Sequence, residues 1–60
     1  MRLELDREDL LHEHKKVNCS QTDFKHFRPE VQAAIRAVGK ATFYEYDRSN
    51  YNVVYPPSDL

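Results

Sequence analysis

From Phe27 to Tyr55 the chain reads as a helix, a stop and a β-hairpin, and that half of the sequence constrains the fold most. Val31, Ala34, Ile35 and Val38 recur at i, i+3, i+4 and i+7, the apolar stripe of a helix that packs on one side only. Pro29 suits the first helical position, where its missing amide costs nothing, and Glu30 meets the positive end of the helix dipole. Arg28 precedes that proline and is pushed away from helical angles. The helix is expected to run to about Val38 and to stop at Gly39 in a left-handed conformation.

Beyond the stop, Ala41 to Asp47 and Tyr51 to Tyr55 are rich in aromatic and β-branched residues around the polar connection Arg48-Ser49-Asn50. The length of that connection decides which side chains share a face. A two- or four-residue loop places Thr42, Tyr44, Tyr46, Tyr51, Val53 and Tyr55 on one face and Ala41, Phe43, Glu45, Asn52 and Val54 on the other. A three-residue loop mixes the sets. The first registry is favoured because it segregates the tyrosines, and Pro56-Pro57 then ends the second strand.

The first half carries weaker signals. Leu3 and Leu5 alternate with Arg2 and Glu4, which suits a short strand with one buried face that would pair with the hairpin. Asp6 reads as an N-cap with Asp9 reaching back to it, and Leu5 and Leu10 stand at the spacing of a hydrophobic staple. These features predict a helix from about Arg7 to Val17 with Leu10, Leu11, His14 and Val17 on its buried stripe. Asn18 to Arg28 is a connector in which Ser20 and Asp23 cap a single turn, anchored by Phe24 and Phe27. No internal repeat or low-complexity segment interrupts the chain.

The expected fold is therefore α+β in one small domain over residues 1–60, ordered β-α-α-β-β, or α-α-β-β without the first strand. Two short helices would pack on one face of an antiparallel hairpin, and residues 56–60 would form a frayed tail. A chain of 60 residues hides only about 60% of the surface its unfolded form exposes, so it needs support from outside its own core. The lone Cys19 forms no internal disulfide, which leaves a metal or a second copy of the chain. With no apolar run long enough to span a bilayer and no signal-peptide pattern, a reducing, cytoplasmic setting is expected, and Asn18-Cys19-Ser20 carries no weight as a glycosylation acceptor.

His12, His14, Cys19 and His26 are the residue types of a zinc site, but on a helix His12 and His14 would point about 200° apart, and the string lacks the four-residue spacing of helical zinc histidines. Cys19 with His14 or His26 makes a poor case for a nucleophile pair, because so short a chain leaves little room for a pocket and an oxyanion hole. The one glycine is a helix stop and not part of a phosphate-binding loop. Neither an enzyme, nor a cofactor, nor a small-molecule substrate, nor a membrane partner is expected.

Two binding readings remain. The charge is segregated: residues 15–40 hold Lys15, Lys16, Lys25, Arg28, Arg36 and Lys40 against Asp23 and Glu30, while both flanks are acidic. Two helices followed by a hairpin is the element order of small winged-helix modules, a likeness of order alone. On that reading Lys25, Arg28, Gln32, Arg36, Lys40 and Arg48 would contact nucleic acid. The favoured reading is a non-enzymatic protein-interaction module, a small accessory regulator or inhibitor that self-associates or docks a larger protein. Its contact residues would be Tyr44, Tyr46, Tyr51, Val53 and Tyr55, if the helices cover the opposite face of the hairpin. The sequence leaves both orientations of the hairpin open.

Overall fold

The computed structural model describes residues 2–45 and 49–58. Its regular elements are β1 (Glu4–Leu5), α1 (Pro29–Val38), β2 (Ala41–Glu45) and β3 (Asn50–Val54). Between β1 and α1 lie four single 3₁₀ turns, at Arg7–Asp9, His12–His14, Cys19–Gln21 and Phe24–His26. The architecture is α+β, with one helix and a three-stranded mixed sheet in the order β1-β2-β3.

The helix follows its local instructions. Pro29 occupies the first turn, and Gly39 adopts φ 99°, a left-handed conformation, with its amide donating to the Ile35 carbonyl at 2.7 Å. At the other end, Gln32 donates from Nε2 to the Phe27 carbonyl at 2.9 Å, tying the first turn to the residue that enters it. Ile35 is fully buried, with Val31, Ala34 and Val38 half-buried around it.

In the sheet, β1 runs parallel to β2 through Glu4↔Thr42 and Leu5↔Phe43, reinforced by the Thr42 amide donating to the Leu3 carbonyl at 3.0 Å. The β2–β3 register is antiparallel, from Ala41↔Val54 to Glu45↔Asn50. Glu45↔Asn50 is the last pair before the turn, the register expected with a two- or four-residue loop; Tyr46, Asp47 and Arg48 lie outside the described residues, as do Asp59 and Leu60 of the tail.

The helix expected from Arg7 to Val17 does not form, and α1 is the one α-helix among the described residues. Two 3₁₀ turns stand in its place, separated by an extended Leu10 (φ −81°, ψ 154°) and Leu11 (φ −59°, ψ 148°). Tertiary pairing explains the difference. Leu10 bridges antiparallel to Phe27, with the Leu11 amide donating to the His26 carbonyl at 2.9 Å and the Arg28 amide to the Asp9 carbonyl at 3.2 Å. Leu10 and Phe27 are both completely buried, more than a helix resting one narrow stripe on a small sheet would achieve for Leu10.

The bridge joins two segments built alike. Asp6 caps the Arg7–Asp9 turn and receives Asp9 in return; Asp23 caps the Phe24–His26 turn and receives His26 in return. Each capping box hands the chain straight to a bridging residue, Leu10 in one case and Phe27 in the other. The Asp6/Asp9 reciprocity was expected from the sequence, but as the start of a helix; its counterpart in the connector was not. The two segments share only an Asp and an apolar residue four positions later, too little to register as a repeat.

Leu5, Leu10, Phe24, Phe27, Ile35, Ala41, Phe43 and Val54 pack with Cys19 in a single buried cluster, in which the Phe27 ring meets Phe43 edge-on at 5.9 Å. Truncation at the bridge should therefore be severe. Leu10→Ala is expected to lower unfolding free energy by about 2–5 kcal/mol, and Leu11→Ala by much less, since Leu11 is only half-buried. Urea denaturation followed by circular dichroism checks the order; equal losses would contradict the bridged geometry.

Candidate interaction surface

The buried cluster sits against one face of the sheet; on the other, among the described residues, Thr42 and Tyr44 are half-buried and Tyr51 and Val53 exposed. Ala41, Phe43, Glu45 and Val54 are buried, while Thr42 and Tyr44 on β2 and Tyr51 and Val53 on β3 alternate with them and project to the opposite side. Tyr44 and Tyr51 therefore face outward, which decides between the two orientations the sequence left open. Tyr51 is 67% exposed, Tyr55 61% and Val53 36%. Tyr44 lies directly across from Tyr51, the rings 6.4 Å apart and tilted by 44°. The described side chains of β2 and β3 on this face are uncharged; β1 adds Glu4 at the edge, with its carboxylate 3.4 Å from Arg2. Tyr46, expected on the same face, lies outside the described residues.

On the covered face a charge is enclosed. Glu45 is only 7% exposed, and both its oxygens accept hydrogen bonds: Oε2 from Arg7 Nη2 at 2.6 Å and Oε1 from the Cys19 amide at 2.9 Å. Arg7 also donates from Nη1 to the Lys15 carbonyl, so one guanidinium joins β2 to the end of the second turn. Cys19 donates from Sγ to the Phe43 carbonyl at 3.7 Å, and Asn52 from Nδ2 to the Thr22 carbonyl at 3.4 Å. These contacts fasten the Cys19–Gln21 turn to the sheet. Burial first, and the neighbouring Glu45 carboxylate second, push the Cys19 thiol above its ordinary pKa.

That environment is the reverse of an activated nucleophile's, which needs positive surroundings to become a thiolate. The histidines considered as its partners face each other instead: His14 and His26 stack with centroids 4.2 Å apart and planes 18° off parallel. A cleft of about 390 Å³ opens beside Glu45, flanked by Asn18, Ser20, Asn50 and Asn52, but the carboxylate at its floor is already engaged by Arg7 and Cys19. Among the described residues, no three His, Cys, Asp or Glu side chains are grouped so as to hold a metal.

Of the residues assigned to the nucleic-acid reading, Arg28, Gln32, Arg36 and Lys40 lie on or beside α1, and Lys25 lies in the turn before it. Lys25, Arg28, Arg36 and Lys40 are exposed, and Arg28, Gln32 and Arg36 follow one row of α1. Two members of the row serve the fold: Gln32 holds the Phe27 carbonyl, and the Arg36 guanidinium lies 5.0 Å above the Phe24 ring. Arg48 lies outside the described residues. The helix that should precede a recognition helix is the one replaced by 3₁₀ turns, so the element order behind the winged-helix likeness is not present among the described residues.

Sequence reading missed the Arg7–Glu45–Cys19 cluster, although one signal for it was available: Glu45 shares a face with Ala41, Phe43 and Val54, and a carboxylate on a covered face requires a cation and hydrogen-bond donors. Removing its charge should be costly. Glu45→Gln is expected to destabilise the chain by about 3 kcal/mol, the low end for a broken buried pair because Arg7 retains some contact with water. Chemical denaturation measures it; a loss within experimental error would show that the cluster is dispensable. Compared with models of protein families, with curated proteins and with solved structures, the chain matches none.

Proposed function

We propose that this chain is a non-enzymatic protein-interaction module that works through the outward tyrosine face of its sheet, with a second copy of itself as the occupant. The observation that carries the reading is the one-sided core: among the described residues the large buried side chains form one cluster with Phe43, while Tyr51 and Tyr55 stand in solvent. Tyrosine suits such a role because its ring provides apolar contact area while the hydroxyl keeps a hydrogen-bond partner within reach. The centre of the face is uncharged, so two copies can meet across a twofold axis without setting like charges against each other.

Area sets the strength of that contact. Tyr51 and Tyr55 together offer on the order of 200–300 Å² for burial, against about 800 Å² per partner in a standard interface. Association is therefore weak and reversible, as befits a small accessory regulator, and the rim must supply the remaining contact.

Sedimentation velocity over about a hundredfold concentration range tests the proposal. Self-association should appear at the upper end, persist in added salt because the contact is apolar, and weaken at least tenfold in Tyr51→Ser and Tyr55→Ser, while Arg28→Ser and Arg36→Ser leave it unchanged. A chain that stays monomeric throughout, or an association abolished by salt, overturns it.

A further inference from the structure

The two capping boxes differ in one chemical respect. In the first turn the Asp6 amide donates to Asp9 Oδ2 at 2.9 Å; in the second the Asp23 amide donates to His26 Nδ1 at 3.3 Å. A carboxylate accepts throughout the neutral and mildly acidic range, whereas an imidazole accepts at Nδ1 only while that nitrogen carries no proton. A protonated His26 would present a donor to a donor.

His26 is placed where that change would be felt. Its own carbonyl accepts the Leu11 amide across the bridge, the next residue is Phe27, and its ring lies against His14 from the opposite segment. We propose that the Asp23–Phe27 turn is a proton-sensitive clasp: a proton added at His26 Nδ1 releases the Asp23 amide and loosens the seam between residues 9–14 and 23–28, while the Asp6–Asp9 box stays closed.

The charged groups around the ring favour its neutral form on balance. Burial is the largest influence and holds the His26 pKa below its ordinary value; His14 across the seam and Lys25 on the same turn act in the same direction, and only Asp23 opposes them. Glu13, on the segment packed against the ring, lies 3.8 Å from His14 Nε2. Because the folded chain binds this proton less readily than the unfolded chain, the stability it contributes is complete above the ordinary histidine range, near about 6.5, and declines as pH falls through that range toward the lower folded-state pKa.

The test is a titration of the intact chain from about pH 8 to about pH 5, spanning the histidine range. The Asp23 amide nitrogen and proton shifts should follow the same curve as the His26 ring proton, and the protection of the Leu11 and Asp23 amides against exchange, taken relative to their intrinsic rates at each pH, should fall at the acid end. Over the same interval thermal unfolding of the native chain should fall by several degrees, and His26→Gln, whose side-chain oxygen accepts without titrating, should lose less than half of that. An Asp23 amide indifferent to the His26 titration overturns the proposal, as does a His26→Gln chain with the native pH dependence. Should His26→Gln not fold, the native titration decides alone.

Discussion

The antiparallel contact of Leu10 with Phe27 holds the two halves of this chain together. Up to Phe27 the chain is one two-residue strand and four short turns with little intrinsic stability, and beyond it come a helix and a hairpin that bury one side each. Phe27 is completely buried, meets Phe43 edge-on, and lends its carbonyl to Gln32 at the start of the helix. It thus couples the N-terminal segment, the helix and the central strand. Each of these 3₁₀ turns closes only two backbone hydrogen bonds, in a geometry poorer than that of an α-helix. Three of the four turns owe their persistence to the side chains they deliver to the core: Cys19 and Phe24 from within them, and Leu10 and Phe27 as the residues that follow two of them.

A core built from so few residues covers one face of the sheet and no more. That limit produces both unusual features of the structure. On the covered side, Glu45 is enclosed and must be neutralised, which fixes Arg7 and the Cys19 amide around it. Such an ion pair is poor in net stability but strict in geometry, because a misplaced partner would leave a charge buried alone. On the opposite side, an uncharged aromatic surface remains in water, and contact with another molecule is the physical means of removing it. Strand β2 is the common origin, since Phe43 and Glu45 point inward from it and Tyr44 outward.

No helix among the described residues is long and apolar enough to cross a membrane. Of the cationic side chains, Arg28, Arg36 and Lys40 lie on or beside the helix and Lys25 in the turn before it, with Arg36 drawn onto the Phe24 ring. A basic row partly occupied by its own fold presents less to a phosphate backbone than its residue count suggests.

The second half of this chain was legible because its signals are local. Pro29 and Gly39 mark the ends of a helix through backbone angles that hold in any context, the i, i+3, i+4, i+7 stripe names its buried side, and gathering the tyrosines on one side favoured the register of a two- or four-residue loop over that of a three-residue one. The first half was not, because its conformation depends on a partner distant in sequence. Asp6, Asp9, Leu5 and Leu10 are as good a helix start as the alphabet offers, and only the pairing of Leu10 with Phe27 converts that start into a single turn. The same holds for the surface: strand periodicity puts Tyr44 and Tyr46 on one face of the first strand and Tyr51, Val53 and Tyr55 on one face of the second, but whether those faces coincide depends on the loop length, which the sequence left open. Which face meets water was decided only when turns, helix and bridge had gathered on the side of Phe43, a choice made by burial across the whole chain and encoded in no single stretch of it.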